Sequence, residues 1–128
     1  MPISITSLKK KVWDLFSIWV RKSAADWNDM CECVTCGVTK HWKLMQAGHF
    51  IAGRGNSILF EKTNVHVQCY VCNIRKHGNQ LRYYRFMVAK YGEKEVKRLE
   101  RLAPKPRSFK REELEKMRED LKNKIAKL

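Results

Sequence analysis

The sequence is short of acids: 13 Asp and Glu stand against 27 Lys and Arg among 128 residues, a net charge of +14 and a pI near 9.8. A surplus this large exceeds what solubility needs and excludes an acidic surface; it points to a polyanionic partner, nucleic acid first of all. The sequence also lacks any apolar run near the roughly 18 residues that span a bilayer, so no membrane partner is expected. Its start, MPISITSLKKKVWDLF, has neither the continuous apolar stretch nor the small-residue cleavage site of a secretory signal. A cytoplasmic protein is therefore expected, with its thiols reduced. Internal repeats and low-complexity segments are missing too, and with three prolines and six glycines the chain reads as one small domain.

Against these absences stand five cysteines. Cys33-x-x-Cys36 and Cys69-x-x-Cys72 each offer two sulfurs to one ion, and four thiolates suit a structural zinc, which needs no open position and stabilises the folded state of a small domain. Cys31 is left over and is expected to remain a free thiol; His41 is a weaker alternative ligand.

Three regions differ in composition. Residues 6–28 place Leu8, Val12, Leu15, Phe16, Trp19 and Val20 at helical spacing among Lys9, Lys10, Lys11, Arg21 and Lys22, which predicts an amphipathic helix with a basic side. Trp13, Trp19 and Trp27 are expected to pack; the lysines are read either as solvated or as DNA contacts. Residues 30–79 break into short pieces separated by Cys, Gly and Asn. They predict a strand around Lys43–Phe50, a second around Ile58–Phe60 and a helix from near Gln68. Residues 80–128 are helical in period, broken near Gly92 and again at Pro104 and Pro106, with Ser108 expected to cap a last helix. That helix carries Phe109, Leu114, Met117, Leu121, Ile125 and Leu128 close to one stripe, fit to pack internally or on a second copy. Tyr83, Tyr84 and Phe86 are assigned to the core.

Between the two cysteine pairs lie residues fit for phosphodiester hydrolysis, which calls for a base to activate water, a cation to neutralise charge and basic groups to hold the backbone. His49 suits the first task, since a neutral imidazole accepts a proton at physiological pH. Asn73 offers a hard amide oxygen to Mg²⁺ or Mn²⁺. Asn64 is placed to pin the intervening loop and orient His49. Arg54, Arg75 and Lys76 are candidate phosphate contacts.

The run AGHFIAGR, followed by NVHVQCYVCNIRKHGN, resembles the HNH or ββα-metal endonuclease motif in an H-N-N form. More closely, it is similar to the phage NinG/Rap recombination endonucleases. The likeness extends more weakly to CVTCG, to the upstream helix and to YGEKEVKRL. It implies an α+β fold, a zinc-stapled ββα-metal core flanked by N-terminal and C-terminal helices. It implies a metal-dependent endonuclease acting on branched DNA such as Holliday junctions and D-loops. His49 would be the general base, Asn73 a ligand of a catalytic Mg²⁺ or Mn²⁺, and Asn64 the residue that fixes His49. Many such enzymes carry an Asp ligand just before the histidine, where this chain has Gly48; His66 is the substitute considered, with Gln46 behind it. Two other readings remain open: a non-catalytic zinc-dependent nucleic-acid-binding module, and a homing or restriction-like nuclease that reads sequence. A homodimer is possible.

Overall fold

A computed structural model describes residues 2–52 and 55–128. Helix α1 runs over Ile5–Ser23, its first turn capped by the Ser4 hydroxyl accepting from the Ser7 N–H at 3.1 Å. It ends before the expected Asn28 because the Asp26 carboxylate takes the N–H groups of Asn28 and Met30, and Asp29 turns the chain at φ 61°. Strands β1 (Met30–Glu32) and β2 (Thr39–His41) form one antiparallel pair and β3 (Gln46–His49) and β4 (Val65–Gln68) another, with Gln46 opposite Gln68, Gly48 opposite His66 and His49 opposite Val65.

The expected second strand is in the wrong place. Ile58 lies in a single helical turn, α2 (Asn56–Leu59), where it is buried, and the strand that pairs with β3 is β4. The expected helix from Gln68 is also displaced, since Gln68 closes β4. A π-helical turn, Val71–Arg75, follows, in which the Lys76 N–H reaches back to the Val71 carbonyl at 2.8 Å. His77, Gly78 and Asn79 then all take positive φ, reversing the chain into α3 (Gln80–Tyr91). Gly92, at φ 89°, separates α3 from α4 (Glu93–Leu102).

The last helix, α5 (Arg111–Ala126), starts later than the sequence suggests. Ser108 does not cap it; the Glu113 carboxylate accepts from the Lys110 N–H at 3.2 Å and pairs with Arg107 at 2.6 Å. Its stripe is used within the chain: Leu114 and Leu121 join Leu8, Val12, Phe16 and Val20 of α1 with Val65 and Val67 of β4 in the main core. A second cluster unites Phe50 with Tyr83, Met87, Val96 and Leu99 beneath α3 and α4. Tyr83 is fully buried, but Tyr84 is exposed, its hydroxyl donating to Glu93 at 2.7 Å. Trp27 does not pack at all, being 90% exposed. The architecture is a mixed α+β fold of helices around two small sheets. Among the described residues no helix is long and apolar enough to cross a membrane.

Candidate functional site

The cysteine pairs meet. The sulfurs of Cys33, Cys36, Cys69 and Cys72 all lie within 4.8 Å of one another, with Cys36 and Cys69 3.7 Å apart. Tetrahedral Zn–S bonds of about 2.3 Å set sulfurs roughly 3.8 Å apart, so the four can hold a zinc ion. The knuckle after β1 closes through the Gly37 N–H to the Cys33 carbonyl at 2.9 Å, with Gly37 at φ 84°. The Val34 N–H bonds the Val67 carbonyl, fastening that knuckle to β4. The Thr35 hydroxyl lies 3.2 Å from the Cys33 sulfur and the Asn79 amide donates to Cys72 at 3.5 Å, partners of the kind that orient metal ligands. Burial pushes the Cys36 thiol up to about 12, the neighbouring sulfurs adding to it. Burial raises Cys33 too, but hydrogen bonds from Thr35 and the backbone outweigh it and bring it down to about 6. Cys31 stands outside this group, buried in β1, where burial raises its pKa. His41 also stands apart, its Nδ1 accepting from the Lys43 N–H at 3.1 Å.

Beside the cysteines lies an open cleft of about 700 Å³ whose lining includes Lys9, Lys10 and Trp13 of α1, Ala47 and His49 of β3, Asn73 of the π-helical turn, and His77. The His49 ring stacks on Trp13, centroids 4.9 Å apart and planes 18° from parallel. Its Nε2 is 3.2 Å from the Leu59 carbonyl, an acceptor, so Nε2 carries the hydrogen and Nδ1 keeps the lone pair. Burial lowers the His49 pKa, the bond to Leu59 acting against it.

Asn64 is fully buried, and its side chain bonds Ile51 rather than the His49 ring. Its Oδ1 accepts from the Ile51 N–H at 2.8 Å, its Nδ2 donates to the Ile51 carbonyl at 3.4 Å, and its own carbonyl accepts from the Phe50 N–H at 2.7 Å. The chain leaving His49 is thereby clamped on both sides. Asn73 Nδ2 donates to Gln46 Oε1 at 2.7 Å, which turns Oδ1 toward Gly48.

His66 is corrected. It lies among aromatic rings, Nδ1 3.1 Å from the Tyr83 hydroxyl and Nε2 2.7 Å from the Tyr91 hydroxyl. Tyr83 in turn donates to the Gly48 carbonyl at 2.6 Å, so Nδ1 donates to Tyr83 and Nε2 accepts from Tyr91. Both nitrogens are engaged, and burial followed by the charge of Lys90 lowers its pKa to about 4. It is a neutral strut that holds β4 to α3, not a metal ligand.

The basic candidates divide. Lys9 donates to Asn56 Oδ1 at 3.1 Å at the cleft edge, and Lys10 lines the cleft while pairing with Asp14 at 3.7 Å. Lys11, Arg75 and Lys76 are exposed and not part of the cleft lining. Arg54 lies outside the described residues. Trp13 packs, as expected from the sequence, but its stacking on His49 depends on where α1 docks; His77, which the sequence reading did not single out, lies four residues beyond Asn73.

These elements define a small, basic α+β protein with a cluster of four cysteines able to hold a zinc ion and a histidine-bearing cleft. The chain belongs to the NinG family, described as bacteriophage lambda NinG protein, whose family model matches residues 4–128. Relatives include protein ninG of Escherichia phage lambda and protein ninG of Escherichia phage 933W, each 31% identical over 71 residues, 53% of this chain. The match spans about a third of the relatives' own length, 33% and 34%. No solved structure matches.

Proposed function

We propose that the chain is a metal-dependent DNA endonuclease of the HNH or ββα-metal type, selective for branched DNA and acting in phage recombination within an infected host cell. The single observation that carries this reading is the cleft in which His49 and Asn73 face lysines of α1. A base, a hard oxygen and phosphate-binding charge thus share one opening, on a chain of net charge +14.

In this reading His49 Nδ1 takes a proton from water as the water oxygen attacks phosphorus and the bond to the leaving sugar oxygen breaks. The Leu59 carbonyl fixes the tautomer that leaves Nδ1 free, and Trp13 holds the ring plane. The lowered pKa keeps the imidazole neutral at physiological pH, the state a base requires. Asn64 keeps the strand end that carries His49 in one conformation through Phe50 and Ile51. A bound Mg²⁺ or Mn²⁺ would neutralise charge on the scissile phosphate and leaving oxygen. Asn73 suits such an ion, because no donor among the described residues occupies its Oδ1. Lys9 and Lys10 bind the DNA backbone, joined by the exposed Lys11, Arg75 and Lys76. A zinc ion held by Cys33, Cys36, Cys69 and Cys72 would fasten the knuckle after β1 to the turn that bears Asn73. Two nicks on a symmetric junction favour action as a homodimer.

The test of substrate class compares an immobile four-way junction with a linear duplex of the same sequence, each with Mg²⁺ or Mn²⁺. The proposal expects the junction to be cut faster. Equal cutting at one sequence in both would favour a sequence-reading nuclease, and salt-sensitive binding without scission a binding module.

A further inference from the structure

Gly48 is buried, and a Cβ added to it would meet Gln68 Oε1 at 1.9 Å and Asn73 Oδ1 at 3.0 Å. The space that any side chain at position 48 would enter is already bordered by two amide oxygens. Laid end to end those two distances set about 4.9 Å as the greatest separation of the oxygens, and one ion with oxygen contacts of roughly 2.1 Å spans about 4.2 Å, so a shift of under an ångström at most brings both to it.

Gln68 is fully buried, and its Oε1 is a buried side-chain oxygen with no hydrogen-bond donor among the described residues. The amide cannot be turned over to relieve this. Its Nε2 donates to the Gly78 carbonyl at 2.9 Å and to Thr35 Oγ1 at 3.2 Å, and reversal would set oxygen against the Gly78 carbonyl. A buried amide oxygen left without a partner is costly, so its persistence calls for an explanation.

We propose that Gln68 Oε1 supplies the cation-binding oxygen that position 48 lacks, so that one divalent cation is held between Gln68 and Asn73. The proposal rests on the reading of the cleft as a metal-dependent nuclease site. Gly48 and Gln68 form a matched pair: the missing side chain on β3 makes room for an amide delivered from the opposite residue row on β4. Both ligand atoms are neutral, hard oxygens, the type that Mg²⁺ and Mn²⁺ accept and that zinc leaves to them when thiolates are near. Thr35 adds a link between the cysteine cluster and this site. Its hydroxyl contacts the Cys33 sulfur and accepts from Gln68 Nε2, so the Cys33 knuckle sets the direction in which Gln68 Oε1 points.

The test uses the zinc-loaded full chain and Mn²⁺ alone, without DNA. Binding is followed by electron paramagnetic resonance, and the side-chain amide protons of Gln68 by NMR as Mn²⁺ is added. In the wild type the Gln68 amide resonances broaden together with those of Asn73. Gln68→Leu weakens Mn²⁺ by about tenfold or more while zinc content stays at one per chain. Gly48→Ala does the same, because its methyl displaces the amide oxygen, and Gly48→Asp combined with Gln68→Ala restores binding. If Asn73→Ala weakens Mn²⁺ but Gln68→Leu and Gly48→Ala leave it unchanged, the assignment of Gln68 is overturned and the nuclease reading stands. If the wild type binds no Mn²⁺, the metal-dependent reading itself is overturned.

Discussion

Trp13 of α1 and His49 of β3 lie face to face, ring centroids 4.9 Å apart. A helix otherwise devoted to the core thereby contributes one wall of the cleft, and the indole shields the imidazole from water. Trp13→Ala should raise the His49 pKa toward its ordinary value, because burial is what lowers it. It should also cost about 2 kcal/mol of stability, below the range for a fully buried aromatic. An NMR titration of His49 with a urea melt checks both, and Trp13→Phe should retain most of each.

His66 makes folding sensitive to mild acid. Its folded pKa, about 4, lies below the unfolded value near 6.5, so the unfolded chain binds the extra proton first. The contribution is complete above the unfolded pKa and is lost as pH falls from about 6.5 toward 4, amounting to at most about 3 kcal/mol. Urea unfolding of the zinc-loaded protein between pH 7 and pH 5 should show stability falling with acid, and His66→Gln should flatten that slope. Glu95, held down to about 2 by Arg98, titrates below this window.

Asn64→Ala removes the acceptor of the Ile51 N–H and leaves a donor unpaired beside the site, a loss of about 1–3 kcal/mol. Cleavage should fall along with stability, and DNA affinity should change little. Asn64→Asp keeps the acceptor and should recover part of both. Comparing binding isotherms with cleavage rates for the two variants separates loop positioning from DNA contact.

Zinc should be present at one per chain and be lost in Cys33→Ser or Cys72→Ser, with cooperative unfolding by chelators. Cys31→Ser should keep the metal, since its sulfur is outside the cluster. Metal analysis after gel filtration decides both, and loss of zinc from Cys31→Ser would place the ligand set in error.

The four-cysteine cluster was legible in the sequence because the Cys-x-x-Cys spacing is itself the chemistry of a knuckle. The loop-pinning site at Asn64 was legible as a position, though its means, through Ile51 and Phe50, was not. Strand β4 was misplaced for a local reason. Val65 and Val67 alternate with His66 and Gln68, a strand pattern, but His66 was read for its polar chemistry and Gln68 as the start of a helix, while Ile58–Phe60 offered a short apolar run that suits a strand or a buried helical turn equally. The same confusion made His66 a candidate ligand: only the docking of α3 brings Tyr83 and Tyr91 to its two nitrogens. The part that Gln68 and Trp13 play at the cleft was not legible because both act through tertiary contacts, one behind a glycine and the other across from a strand end.

The role of His49 as the base of metal-dependent hydrolysis in this cleft is tested most directly by strand scission of a four-way junction by zinc-loaded protein with added Mn²⁺, the wild type beside His49→Ala. Nicked products are expected from the wild type, none without the added cation, and none from His49→Ala although it binds the junction as tightly. Scission by His49→Ala at the wild-type rate, or no scission by the wild type on any branched or linear DNA, would contradict that role.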